Sequence, residues 1–168
     1  MKYTIKIISL LFIILLFGCS QTVTYDILIK NGQILDGSGE ASYIGDIAIN
    51  NDTIAAIGKL ENAKSLQEID ATGLAVAPGF INMLSWATES LIEDGKSQSD
   101  IRQGVTLEVM GEGWSMGPLN EKMRQEELKV QKDVTYDIEW TTLGEYLEFL
   151  EAKGIAPNVA SFVGATTL

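Results

Sequence analysis

The sequence has no histidine and a single cysteine, Cys19, among its 168 residues. No histidine-dependent triad and no histidine-ligated zinc site can be assembled from such a chain. One cysteine also rules out an intramolecular disulfide. Bases are scarce: 12 Lys and Arg stand against 23 Asp and Glu, for a net charge of −11. A surface that acidic repels phosphate backbones, which excludes nucleic acid as a partner class. The chain is shorter than the roughly 250 residues of a complete α/β barrel. Its 46% apolar and 21% charged residues argue against disorder and point to a packed core.

What is present begins with a leader. Lys2 and Lys6 precede Ile7 to Phe17, an almost unbroken apolar run of 11 residues. That run is too short to span a bilayer, which takes about 20, and has the form of a secretion signal. It ends in Leu16-Phe17-Gly18-Cys19, which resembles a bacterial lipobox, with residues 1–18 removed and Cys19 lipidated as the new N-terminus. The alternative is an ordinary signal cut elsewhere, with Cys19 discarded or left as a thiol. The lipobox reading implies a protein carried across the inner membrane and anchored in the bacterial cell envelope, with residues 19–24 as a short polar tether. Each buried CH₂ of the acyl chains contributes about 0.8 kcal/mol to that anchoring. Loss of Lys2 and Lys6 leaves ten bases against 23 acids, a net charge of −13.

Residues 25–78 are strand-rich. Asp26 to Lys30 is a β-branched run that meets Asn31-Gly32, the strongest two-residue hairpin signal, and Gln33 to Asp36 reads as its return. Ile44 to Ile49, Asn50-Asn51-Asp52 and Thr53 to Ile57 form a second pair closed by Gly58. Small hairpins in series predict a β-sandwich segment with too few large apolar residues to stand alone.

From residue 79 the pattern changes. Phe80 to Leu84 reads as a buried strand, Ser97 to Arg102 as one or two helical turns, and Val105 to Met110 as a second strand. Glu121 to Lys132 is charged on nearly every side and reads as a solvated surface helix. Thr142-Leu143-Gly144-Glu145 is a capping box; Leu143, Tyr146, Leu147 and Leu150 then make one apolar face before Gly154 stops the helix. Asn158 to Val163 is a third strand. Strands alternating with helices are the rhythm of parallel βαβ units. Three parallel strands leave an open edge, and the last residues lack a polar tail, so the chain reads as one cut before its sheet is closed.

Three stretches carry a family resemblance: Asp26 to Gly32 with Asp36-Gly37-Ser38-Gly39; Ile69 to Gly73 through Ala77-Pro78-Gly79-Phe80-Ile81-Asn82; and Gln103 to Thr106 with Asn158 to Gly164. Together they resemble the N-terminal part of the D-aminoacylase (N-acyl-D-amino-acid deacylase) branch of the amidohydrolase superfamily. The resemblance covers Tyr25 to Leu168. It implies an α/β fold, the first part of a (β/α)₈ TIM-type barrel from residue 79 on, preceded by an incomplete small β-sandwich. It also implies hydrolysis of the amide C–N bond of a small N-acylated amino acid or peptide-like substrate. In that family the first strand ends in Asp-x-His-x-His, whose histidines bind zinc. Here Asn82-Met83-Leu84-Ser85-Trp86 stands there, placing Leu84 and Trp86 at the ligand positions. Gly113 stands where the family has a cysteine ligand, and Ala165 where a further histidine follows the third strand. No metal is therefore expected to be bound by these residues, and zinc in the full-length protein would depend on ligands beyond Leu168.

Barrel active sites lie at the C-terminal ends of strands, which selects the candidates. Ser85 is either a nucleophile or substrate hydrogen-bonder, or a turn serine. Glu112, between two glycines that allow close backbone approach, is either a general acid/base or a turn residue. Trp86 and Trp114 either line a substrate pocket or pack at the barrel mouth. Glu89, Glu93 and Asp94 form an acidic loop, one of them a general base or all of them solvated. The expected function is an N-acyl-D-amino-acid deacylase-like hydrolase whose 168 residues are inactive alone. The alternative is a catalytically dead lipoprotein that keeps the fold as a ligand-binding scaffold. A third reading takes the chain as a small β-rich adaptor closing its sheet by dimerisation.

Overall fold

The computed structural model describes residues 24–167, so the leader, the lipobox and Cys19 lie outside the described residues. These residues form two compact units that meet in sequence between Pro78 and Gly79. Among the described residues, no helix is long and apolar enough to cross a membrane.

The first unit is one five-stranded sheet. β1 (Thr24–Ile34) lies at its centre, antiparallel to β2 (Tyr43–Asn50) and parallel to β4 (Lys64–Asp70) and the short β5 (Ala75–Val76); β3 (Thr53–Gly58) pairs with β2. The expected hairpin of β2 and β3 is present, with Asn50 opposite Thr53 and Asn51 at φ 52° in the two-residue turn. The hairpin expected at Asn31-Gly32 is not. β1 runs straight through as one strand, and the dipeptide lies at a β-bulge where the register with β2 shifts between Ile29 and Gly32. Asn31 takes the left-handed φ of 60° that asparagine tolerates, and its N–H donates to Asp46 Oδ1 at 2.9 Å. Gly32 serves packing: a Cβ there would lie 2.5 Å from Val76 Cγ2. Among the described residues this segment forms a single sheet with no second sheet on it. Leu28, Ile34, Ile47, Ala48 and Ala71 are buried, while Ile54, Ile57 and Leu66 remain exposed.

The second unit is mixed α/β. Its three strands, β6 (Phe80–Asn82), β7 (Val105–Met110) and β8 (Asn158–Ser161), are all parallel in the order β6-β7-β8. Between them run α1 (Ser90–Glu93), α2 (Gln98–Ile101), α3 (Glu121–Val130) and α4 (Leu143–Lys153). The capping box is complete: Thr142 Oγ1 accepts from the Glu145 N–H, and the Glu145 carboxylate accepts from the Thr142 N–H. Gly154 ends α4 in the left-handed region, at φ 78°. Tyr146 and Leu150 of α4 are fully buried with Met110 of β7, Leu91 of α1, Met116 and Trp140. The Trp140 indole N–H donates to the Met116 carbonyl at 2.6 Å, and the Tyr146 hydroxyl to that of Thr88 at 2.8 Å. α3 has no fully buried residue, as expected of a surface helix, and only Met123 packs against the core. β6 corrects the expectation of a buried strand. It is an edge strand, and with Phe80 60% exposed and Ile81 55% exposed, no described residues cover them. Parallel sheets ordinarily have both faces covered.

Candidate functional site

The C-terminal ends of β6 and β7 lie side by side, because their parallel register places Asn82 opposite Glu108. Ser85 extends this pairing past β6: its N–H donates to the Val109 carbonyl at 2.9 Å. That bond fixes the backbone of the β6 exit turn and turns the Ser85 side chain toward β7. There Ser85 Oγ donates to Glu108 Oε2 at 2.6 Å and accepts from the Ala87 N–H at 3.1 Å. The other oxygen of the carboxylate, Glu108 Oε1, accepts from Ser97 Oγ at 2.8 Å. Ser97 reaches it from the loop ahead of α2, with its own backbone at φ 43° in the left-handed region. Glu108 is fully buried, Ser85 is 7% exposed, and among the described residues no lysine or arginine pairs with Glu108. A buried carboxylate is costly unless its oxygens are hydrogen-bonded, and here two serine hydroxyls do that work.

Beside this chain of hydrogen bonds lies a small cavity of about 40 Å³, bordered among others by Leu84, Ser85, Trp86, Glu112, Gly113 and Trp114. Four of the seven residues singled out from the sequence, Ser85, Trp86, Glu112 and Trp114, thus meet at one place, and with Leu84 and Gly113 the lining holds three of the positions that the resemblance assigns to metal ligands. Trp86 is 82% exposed and projects as a lip; Trp114 is half-buried against the helical core. Glu112 sits exposed on the turn after β7. The space holds little more than one water, whose share of liquid volume is about 30 Å³.

The acidic loop is used differently. Glu89 accepts from the Tyr136 hydroxyl at 3.1 Å, away from the cavity lining. Burial, and then the Glu89 charge, push the Tyr136 phenol well above its ordinary range. Asp94 accepts from the Lys96 N–H, and Glu93 stays exposed.

The loops after β7 and β8 are locked together. The Ser115 N–H donates to Thr167 Oγ1 at 2.9 Å, Ser115 Oγ donates to the Gly117 carbonyl at 2.6 Å, and the Gly164 N–H donates to Ser115 Oγ at 2.9 Å. Gly164 has no space for a side chain, since a Cβ would lie 2.5 Å from Trp114 Cα.

The donor set does not fit a zinc centre. Leu84, Trp86, Gly113 and Ala165 offer no side-chain lone pair suited to a divalent cation. The buried Glu108 carboxylate is already held by two hydroxyls. Among the described residues no group of three or more His, Cys, Asp or Glu side chains converges on a point. Sequence reasoning missed Glu108 and Ser97. The available signal was a lone acid in an otherwise apolar strand, which must find partners when buried.

No family sequence profile matches the chain. Individual relatives do. The chain is 33% identical over 150 residues to a D-aminoacylase of Alcaligenes xylosoxydans xylosoxydans, covering 89% of this chain and 31% of that protein. A crystal structure of D-aminoacylase, described as defining a novel subset of amidohydrolases, superposes with a TM-score of 0.74 at 29% identity, covering 85% of this chain and 30% of the other. The N-acyl-D-glutamate deacylase of Bordetella bronchiseptica, solved with zinc and a phosphonate mimic of the tetrahedral intermediate, superposes with a TM-score of 0.71 at 27% identity, over 86% and 30% of the two chains. The chain therefore spans about three-tenths of the length of the relatives it matches. In sequence and in its mixed α/β fold, the chain is D-aminoacylase-like.

Proposed function

We propose that the chain serves an amidohydrolase-like hydrolase that cleaves linear amide C–N bonds, with N-acylated D-amino acids as its substrate class. The likeness in both sequence and fold to deacylases of such compounds supports this reading. The strand ends carry the supporting observation within the chain: a serine, two tryptophans and two carboxylates are gathered there, where the barrel fold that this reading implies would place its chemistry. Residues 1–168 alone are expected to leave N-acylated D-amino acids intact, because Leu84, Trp86, Gly113 and Ala165 supply no metal ligand set for that reaction.

A second reading has its own support. With Leu84, Trp86, Gly113 and Ala165 at the ligand positions, a non-catalytic scaffold that binds the acylated ligand needs no metal donors. The two readings separate on amine release from N-acetyl-D-amino acids by native protein isolated from cell envelopes, with the purified 168-residue chain in parallel. D-specific release by the native protein and none by the chain is the expected result. Saturable ligand binding without release by either would establish the scaffold instead.

The envelope location is part of the proposal. Cys19 is its lipid anchor, and metabolic labelling with an alkyne fatty acid is expected to mark the wild type and not Cys19→Ala. Equal labelling of both would remove the anchor.

A further inference from the structure

From the Ser85–Glu108 geometry we infer a metal-independent acyl-transfer site, in which Ser85 Oγ is the nucleophile and Glu108 its general base. The inference rests on the hydrolase reading for its substrate class, an amide or ester of a small acyl group, but not for its geometry.

A serine hydroxyl is a weak nucleophile unless a base takes its proton as it attacks, and the mark of such a pair is a short hydrogen bond from nucleophile to base, with a third group orienting the base. The 2.6 Å bond from Ser85 Oγ to Glu108 Oε2 is of that kind. Ser97 Oγ, 2.8 Å from Glu108 Oε1, is the orienting group. Behind it Asp100 Oδ2 lies 3.4 Å from Ser97 Oγ and itself accepts from Ser99 Oγ at 2.7 Å. No lysine or arginine among the described residues neutralises the Glu108 carboxylate. The Ala87 N–H donates to Ser85 Oγ at 3.1 Å and so fixes its lone pairs.

Access distinguishes this pair from a purely structural one. Ser85 is a wall of the strand-end cavity, and the space in front of it, about 40 Å³, matches a small acyl head and not a whole acylated amino acid. The remainder of a substrate would lie outward, over the exposed Trp86 ring. Gly111, Glu112 and Gly113, the turn after β7, border the same cavity, and their backbone N–H groups are the candidates to meet a developing oxyanion.

The step balances with water as its only co-reactant. Ser85 Oγ adds to the acyl carbonyl carbon while its proton passes to Glu108 Oε2. The tetrahedral intermediate collapses with cleavage of the C–N bond, the leaving amine takes the proton from Glu108, and an acyl ester remains on Ser85. Water then attacks that ester, giving its proton to Glu108, which returns it to Ser85 Oγ as the carboxylic acid departs.

The test is covalent labelling of the 168-residue protein in EDTA with a short-chain fluorophosphonate, a probe that loses fluoride to an activated serine. Peptide mass spectrometry locates the adduct. The expected result is one adduct on Ser85, absent from Ser85→Ala and from urea-unfolded protein. In Glu108→Gln, which keeps the size of the side chain and can still hydrogen-bond both serines, labelling should slow by at least about 100-fold, the lower range for general-base catalysis. Circular dichroism and a cooperative urea transition check that this variant is folded. No adduct on Ser85 in folded wild type overturns the inference, and so does labelling of folded Glu108→Gln at the wild-type rate. If Ser85 labels with this dependence while native protein leaves N-acetyl-D-amino acids intact, the substrate class falls and the nucleophile stands. If the amino acids are hydrolysed but Ser85 never labels, the reverse holds.

Discussion

The sheet of residues 24–76 and the α/β unit that begins at Gly79 face the same physical problem, an apolar strand surface, and meet it differently. In the α/β unit, β7 turns Met110 into a core closed by Leu91, Met116, Trp140, Tyr146 and Leu150, and the polar atoms of its two large aromatics, the Trp140 indole N–H and the Tyr146 hydroxyl, both find carbonyl acceptors. The sheet unit has no helix to lay over its strands. It buries five apolar side chains, leaves Ile54, Ile57 and Leu66 exposed, and relies on polar staples such as the buried Asp46. Asp46 accepts from the Asn31 and Leu60 N–H groups, each at 2.9 Å. Side-chain packing closes one unit, while strand pairing and part-buried side-chain-to-backbone bonds such as those of Asp46 hold the other.

The contrast can be broken most forcefully at Trp140. Trp140→Ala removes the ring against which Tyr146 and Phe149 pack, at centroid distances of 5.1 and 5.2 Å, and is expected to cost about 3–5 kcal/mol in urea denaturation. In the sheet unit a polar change is expected to register as well. Asp46→Ala leaves two backbone amides without their acceptor and should cost about 1–3 kcal/mol, read from the same denaturation curves. A smaller loss, about 1 kcal/mol, is expected for Thr142→Ala, which removes the cap of α4 and should lower the helical circular dichroism signal early in the transition.

The smallest effect is one of pH. Hydrogen bonds from the Thr142 and Thr141 N–H groups hold the Glu145 carboxyl below its ordinary value of 4.5. Since the folded value is the lower one, the stabilisation is present above the unfolded value and is lost as pH falls through the folded one. A titration of the urea midpoint from pH 6 downward should therefore fall less steeply in Glu145→Gln than in wild type. Parallel curves would remove Glu145 from the capping box.

Local chemistry was legible in the sequence wherever a few adjacent residues decide the outcome. The capping box at Thr142, the Gly154 stop and the turn at Asn51 depend on neighbours within four positions, and all three are found. Asn31-Gly32 misled because an asparagine at positive φ serves a bulge as readily as a hairpin turn, and the choice is made by Asp46 and Val76, which lie 15 and 44 residues away. β4 went unread because Lys64-Ser65-Leu66-Gln67-Glu68 is polar and lies on one flank of β1, with little apolar alternation to betray it. The strand-end residues Ser85, Trp86, Glu112 and Trp114 were legible from fold position. The partner of Ser85 was not, because Glu108 is 23 residues distant and sits inside a strand that reads as apolar.

The backbone-on-backbone contact at Gly164 carries a consequence for how this region can change. Trp114 Cα, the Gly113 carbonyl and the Ser115 N–H occupy the space where any side chain at 164 would have to go. Segments 111–118 and 162–167 thus behave as a single heritable block. A library that randomises one of them will return mostly inviable combinations, because the second segment was selected against the old shape of the first. Exchange of both together, taken as a matched pair from one donor sequence, is the move that keeps their fit and lets new specificities be sampled.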